Sequence, residues 1–245
     1  LFGELVLLSL IQLGGFGIMT IGSVFALVAS RRIGLRQRML AQAEIGAVDI
    51  GELRTLITAI AKITVAVELT IATILFVRFV THDDISVGRA AYSGLFHGVS
   101  SFNNAGISLY SDSLTRFAAD PFVVFPITFA FIIGGFGFPV LVEFGRRVRP
   151  RRWSLHTRIT VAATALLLFV GPFLVLVLEW TNTGTLGPMS VWDKLQAAWF
   201  QGVTPRTAGF NTIDIGAMHD ETLNITTCLM FIGAGPASTS GGIKV

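Results

Sequence analysis

The chain has 245 residues, 52% of them hydrophobic and only 13% charged, with a mean hydropathy of +0.71 and a formal net charge of +3. Soluble domains carry about 25% charged residues, so this composition excludes an ordinary water-soluble globule and points to an integral membrane protein. A single cysteine, Cys228, excludes a disulfide framework and a cysteine metal site, and His82, His97, His156 and His219 are scattered without ligand spacing.

Residues 5–30 form the first charge-free run, longer than the roughly 20 residues a helix needs to cross the hydrocarbon. It is too long for a signal-peptide core and lacks a basic leader, so it reads as a span. Arg31, Arg32, Arg36 and Arg38 follow it and mark a cytoplasmic connection. Residues 56–80 make a second span in spite of Lys62, Glu68 and Arg78. Lys62 and Arg78 lie close enough to its ends to snorkel. Glu68 is central, where a carboxylate costs about 3 kcal/mol unless partnered, so structural pairing is expected, with ion coupling as the alternative. The next connection carries Asp83 and Asp84 and suits the outer side.

Residues 90–101 are apolar but number only 12, a helical rise of about 18 Å. The stretch FNNAGI follows from Phe102. A further span covers residues 121–142, with Gly134, Gly135 and Gly137 inside it; close helix packing through small residues is expected for these, as for Gly14 and Gly15, with a hinge role as the alternative. Arg146, Arg147, Arg149, Arg151, Arg152 and Arg158 then mark a second cytoplasmic connection. Residues 159–178 are a span, residues 191–204 another short apolar segment, RTAGF follows from Arg206, and residues 222–243 are a last charge-free run interrupted by GAGPASTSGG.

Part of this order is repeated. FHGVSSFNNAGI from Phe96 and FQGVTPRTAGF from Phe200 share Phe-x-Gly-Val, a hydroxyl residue and Ala-Gly, and IGGFGF from Ile133 is echoed by IGAGP from Ile232. A half-length helix, a glycine loop and a full span together describe a re-entrant segment, and non-helical backbone at that depth is tolerated only where it lines a path for water or ions. Glycine lets successive carbonyls turn toward one axis, and rings of such carbonyls replace the hydration shell of an alkali cation. A half-helix running inward presents its partly negative C-terminal end to that cation, while Asn103, Asn104 or Thr207 can hydrogen-bond the loop from behind.

These residues resemble the Trk/Ktr/HKT potassium transporter superfamily, closest to the Ktr and Trk ion-translocating subunits of prokaryotes. VSSFNNAGIS, TPRTAGFNT and IGAGPASTSGGIKV are similar to its second filter, its third filter and its intramembrane loop. The resemblance covers essentially the whole chain and implies an all-α integral membrane fold of repeated span, half-helix, filter loop and span around a potassium-channel-like pore. It implies residues 1–55 as the second span of unit one with its cytoplasmic connection, 56–156 as a complete unit two, and 157–245 as most of unit three. The filter positions are then Asn104, Ala105 and Gly106, with Thr207, Ala208 and Gly209; Asn103, Ile107 and Phe210 support them. Ile107 stands where the family usually has Phe. Gly233, Ala234, Gly235, Pro236, Ser238, Thr239, Gly241 and Gly242 form the gate loop. By the family's plan a first filter lies before Leu1 and a fourth unit after Val245.

The implied activity is potassium uptake across the cytoplasmic membrane of a prokaryote, with sodium as a candidate coupling ion. No cofactor is implied and no metal beyond potassium. The implied partners are membrane lipid, a second copy in a homodimer and a cytosolic nucleotide-binding regulatory subunit, with no nucleic acid. Enzyme classes find no support: no nucleophile, base and orienting group are brought together by any motif, and GGIKV misses the phosphate-loop pattern because Ile243 precedes Lys244. The alternative class is a secondary transporter holding a small solute between broken midplane helices; parallel repeats and uncharged loops speak against it.

Overall fold

The computed structural model describes residues 2–32, 50–82, 85–145, 150–206 and 208–244. Arg36, Arg38, Asp83, Asp84, Arg146, Arg147, Arg149 and Thr207 lie outside these residues. Eight α-helices are described: α1 (Phe2–Arg32), α2 (Ile50–His82), α3 (Val87–Phe102), α4 (Pro121–Phe136), α5 (Phe138–Gly145), α6 (Leu155–Glu179), α7 (Val191–Val203) and α8 (Asp220–Phe231). The protein is a helical membrane protein. Helices α2 and α6 are each long and apolar enough to cross a bilayer, and α4 with α5 forms a third candidate broken by a 101° bend. Val65, Leu69 and Val77 on α2 and Leu166, Phe169 and Phe173 on α6 are exposed, as lipid-facing side chains are, since lipid tails are as apolar as leucine.

The half-helices form where the sequence placed them. Helix α3 has 16 residues and α7 has 13, so each rises about 20–24 Å, short of a core near 30 Å. The shared Phe-x-Gly-Val motif explains how each docks. Phe96 and Phe200 are fully buried. A Cβ on Gly94 would come within 2.7 Å of the Ala72 carbonyl oxygen, and one on Gly98 within 2.9 Å of the Glu68 carbonyl oxygen, so α3 lies on the backbone of α2. Gly202 meets the backbone of Gly171 and Pro172 in the same way, seating α7 on α6. One core joins the two repeats, in which Leu75 and Phe79 of α2, Val124 and Ile127 of α4, and Phe200 and Val203 of α7 are all buried.

Three sequence expectations are corrected. Residues 121–142 do not make one straight span, because Gly137 takes φ +82° between α4 and α5, a conformation open to glycine and strained for other residues. Gly137 therefore sets a bend as well as packing closely on the Pro236 carbonyl; Gly15, Gly134 and Gly135 serve close packing, and Gly14 has no close neighbour among the described residues. Residues 222–243 are helical only to Phe231. Beyond it Gly233, Gly235 and Pro236 disfavour helix, and the Gly233 amide donates to the Ile243 carbonyl at 2.9 Å, closing a loop that Ile232 and Ile243 seal with an isolated parallel bridge.

The third correction concerns Arg78, which does not simply snorkel. Its Nε donates to Asp120 Oδ2 at 2.6 Å, and Asp120 Oδ1 also accepts from the Phe122 amide at 3.0 Å, capping α4 ahead of Pro121. Asp120→Ala removes both interactions and is expected to cost about 2–4 kcal/mol. Asp120→Asn keeps the cap and is expected to cost about half as much. Thermal unfolding of the purified intact protein in detergent checks the order; equal losses would mean the cap contributes nothing, and no loss in Asp120→Asn that the ion pair contributes nothing.

Candidate functional site

Two loops follow the two half-helices, and the structure brings them into contact. Helix α3 ends at Phe102, after which Asn104 takes φ +53° and Gly106 φ +66°. In the second loop Gly209 takes φ +85°. A Cβ on Gly106 would overlap the Ala208 carbonyl group and lie 2.9 Å from the Gly209 Cα, and one on Gly209 would find the Gly106 Cα at 3.8 Å. The equivalent glycines of the repeat thus face each other across a backbone-to-backbone contact. Just beyond, the Leu114 amide donates to the Asn211 carbonyl at 3.0 Å and the Asn211 amide donates to Ser113 Oγ at 3.1 Å, joining the segments that leave the two loops.

Each loop is held by groups behind it. The Ala105 amide donates to the Ser100 carbonyl at 2.9 Å. Ser100 Oγ donates to the Ile107 carbonyl at 2.7 Å and accepts from the Ile107 amide at 3.0 Å, so one serine spans the loop from its helix. Ser100 is the hydroxyl residue that follows Phe-x-Gly-Val in the first copy of the repeat, a position to which the sequence alone assigns no contact. Asn103 instead turns to the neighbouring span and back to its own helix, with its Nδ2 donating to Glu68 Oε1 at 2.8 Å and to the Val99 carbonyl at 2.9 Å. Gln12 Nε2 of α1 donates to Glu68 Oε2 at 3.2 Å. Glu68 is buried, so the structural pairing expected of it has partners: an acceptor-only carboxylate between two amide donors.

In the second loop the Ala208 amide donates to the Thr204 carbonyl at 3.0 Å, and Phe210 is fully buried in the shared core. Thr207 lies outside the described residues. Arg206 is 8% exposed, its Nη2 donating to Thr164 Oγ1 of α6 at 3.2 Å. Outside the candidate spans, Arg116 forks onto Asp112 and covers the Tyr110 ring at 4.6 Å. That hydrogen bond holds the Asp112 carboxyl below the usual carboxylate range. Tyr110 stacks on His97, whose Nε2 lies 3.1 Å from Ser108 Oγ, so the segment after the first loop rests on the half-helix.

The loop after α8 lies directly against the first of these two loops. Asn104 Nδ2 donates to Thr239 Oγ1 at 2.8 Å, and Thr239 Oγ1 lies 3.1 Å from the Phe102 carbonyl oxygen and 3.3 Å from that of Gly134. Gly235 donates to the Gly135 carbonyl and Phe138 donates to the Ala237 carbonyl, so the bend at Gly137 receives the loop. Ala234 and Ser238 are buried there. Gly209, Arg206, Met230, Gly241 and Gly242 line a cavity of about 250 Å³ that separates the second loop from the far end of this segment. Among the described residues no group of three His, Cys, Asp or Glu could hold a metal ion, and the polar atoms at the loops are mainly backbone oxygens and amides. Such a surface can coordinate a monovalent cation without a net charge of its own.

Comparisons with known proteins bear on the fold. The family model described as TrkH, cation transport protein, matches residues 2–245. The Ktr system potassium uptake protein B of Bacillus subtilis is 43% identical over 244 residues, covering 100% of this chain and 54% of that protein. The potassium/sodium uptake protein NtpJ of Enterococcus hirae is 31% identical over 242 residues, 99% of this chain and 53% of that protein. The crystal structure of the potassium transporter TrkH from Vibrio parahaemolyticus superposes with a TM-score of 0.67 at 21% identity, over 96% of this chain and 44% of that one. The chain spans about half the length of the curated relatives it matches.

Proposed function

This chain belongs to the TrkH family of cation transport proteins, and on that premise we propose that the intact protein takes up potassium through a filter of backbone carbonyls contributed in part by residues 104–106 and 207–209. The observation that carries the reading is the contact between Gly106 and the Ala208–Gly209 backbone. Two loops from equivalent positions in two repeats meet where no side chain intervenes, and carbonyls so placed exchange for the hydration shell of a desolvated cation. Units two and three then occupy residues 56–156 and 157–245, with unit one ending within residues 1–55. The segment from Gly233 to Gly242 acts as the gate, being non-helical, glycine-rich and in hydrogen-bond contact with the first loop. The relatives' names support potassium as the substrate, and that of the Enterococcus hirae protein supports sodium as a second ion. The name "Ktr system" supports further subunits; a homodimer on a cytosolic nucleotide-binding subunit is the assembly adopted here.

Gly209 offers the cleanest test. It is exposed to the cavity and a Cβ there meets only the Gly106 Cα, at 3.8 Å, so Gly209→Ser strains the loop through φ +85° without a clash. In cells unable to accumulate potassium, the intact protein carrying Gly209→Ser is expected to reach the membrane and lose potassium-over-sodium preference by about tenfold, the equivalent of roughly 1.4 kcal/mol. Unchanged uptake with unchanged preference would overturn the filter reading.

A further inference from the structure

We infer that Glu68 is a positioning residue for the loop at residues 104–106, acting through the side-chain amide of Asn103. The inference rests on the filter reading of that loop.

Asn103 is the last residue before the left-handed turn at Asn104, so its orientation fixes where the loop departs from α3. Three helices hold it. From α2, Glu68 Oε1 accepts from Nδ2 at 2.8 Å. From α3, the Val99 carbonyl accepts from the same nitrogen at 2.9 Å. From α1, Gly15 closes over the amide, a Cβ there falling 2.7 Å from Asn103 Cγ, and Gln12 Oε1 lies 3.4 Å from Nδ2. Gln12 Nε2 donates to the other Glu68 oxygen, so carboxylate and two amides form a closed ring in which both carboxylate oxygens accept from an amide. The Glu68 backbone is itself pinned to the half-helix, since Gly98 of α3 lies on its carbonyl. The carboxylate therefore has little freedom to move without carrying the loop's point of departure with it.

The second repeat makes the same tether with different chemistry. Asn103 stands three residues before Gly106, and Arg206 stands three before Gly209. Arg206 is buried and bonded to Thr164, a residue of α6, the span that precedes its own half-helix just as α2 precedes α3. In both repeats the residue at this position is tied to the first span of its unit, which is what a device for setting loop position requires. A carboxylate suits the first copy because asparagine and glutamine both present amide donors.

The test measures potassium uptake and potassium-over-sodium preference of the intact protein in cells lacking other potassium uptake, together with its amount in the membrane. Glu68→Ala and Asn103→Ala are each expected to lower the preference about tenfold, and the double variant no further, because both remove one coupling. Glu68→Gln is expected to keep the preference within about twofold, since a glutamine can accept from Asn103 and donate to a turned Gln12. Gly209→Ser runs alongside. Wild-type preference in Glu68→Ala and Asn103→Ala, with altered preference in Gly209→Ser, overturns this inference alone; wild-type preference in all three overturns the filter reading. Additive losses in the double variant, or equal losses in Glu68→Gln and Glu68→Ala, also overturn it, the latter because charge and not placement would be responsible. If Glu68→Ala fails to reach the membrane, Asn103→Ala and Glu68→Gln decide: a loss in the first with none in the second supports positioning, and any other pairing refutes it.

Discussion

Gly106→Ser in the intact protein is expected to reduce potassium uptake by about a hundredfold, a larger loss than Gly209→Ser produces. Both positions have positive φ, yet their surroundings differ. A Cβ on Gly106 runs into the Ala208 carbonyl group and the Gly209 Cα, both backbone, and backbone cannot step aside as the end of a long side chain can. Strain at φ +66° and the overlap together are worth about 3 kcal/mol, and the two loops must separate to relieve them. Initial rates of uptake into potassium-starved cells, normalised to protein in the membrane, measure the effect. Wild-type rates and preference in Gly106→Ser would mean that the paired loops lie off the ion's path.

The second large effect is on assembly. Gly202→Ala puts a methyl group into the backbone of Gly171 and Pro172, where α7 rests on α6, and is expected to cost about 3 kcal/mol or more. Gly98→Ala, at the matching place in the first repeat, meets the Glu68 carbonyl oxygen at 2.9 Å and the Ala72 amide nitrogen at 3.2 Å. Its cost is expected to be smaller, about 1–2 kcal/mol. Thermal midpoints of the purified intact proteins and their yields from membranes rank the two. An inverted order would show that the half-helices do not dock through these glycines.

What the sequence could reveal follows from the range of each signal. Half-helices, loops and their repetition rest on short patterns such as Phe-x-Gly-Val and Ala-Gly, and on the small length of residues 90–101 and 191–204, so they were legible without coordinates. The break at GAGPASTSGG could also be read from its Gly and Pro, but the bend within residues 121–142 could not, because a charge-free run measures composition and is blind to φ. Gly134, Gly135 and Gly137 look alike in sequence; only φ and their neighbours separate Gly137, which bends the chain against the Pro236 carbonyl, from Gly134, which admits the Phe102 carbonyl, and Gly135, which packs against side chains. Long-range polar pairs leave no local trace either. Arg78 finds Asp120 across 42 residues and Asn103 finds Gln12 across 91, and nothing in the intervening chain announces either meeting. Glu68 could be flagged as costly to bury, but its partners could not be named.

Thr239 carries one consequence of its own. Its hydroxyl has a single proton, and two carbonyl oxygens, those of Phe102 and Gly134, lie within reach of it while the Asn104 amide occupies a lone pair. One proton cannot fully satisfy both oxygens, so at any instant it either divides itself or chooses. Choosing Phe102 fastens the loop to the end of the half-helix; choosing Gly134 fastens it to the helix that bends three residues later. A rotation about one bond, with no movement of any main-chain atom, decides whether the loop gains a tie to the half-helix or one more to the helix that its Gly235 amide already holds.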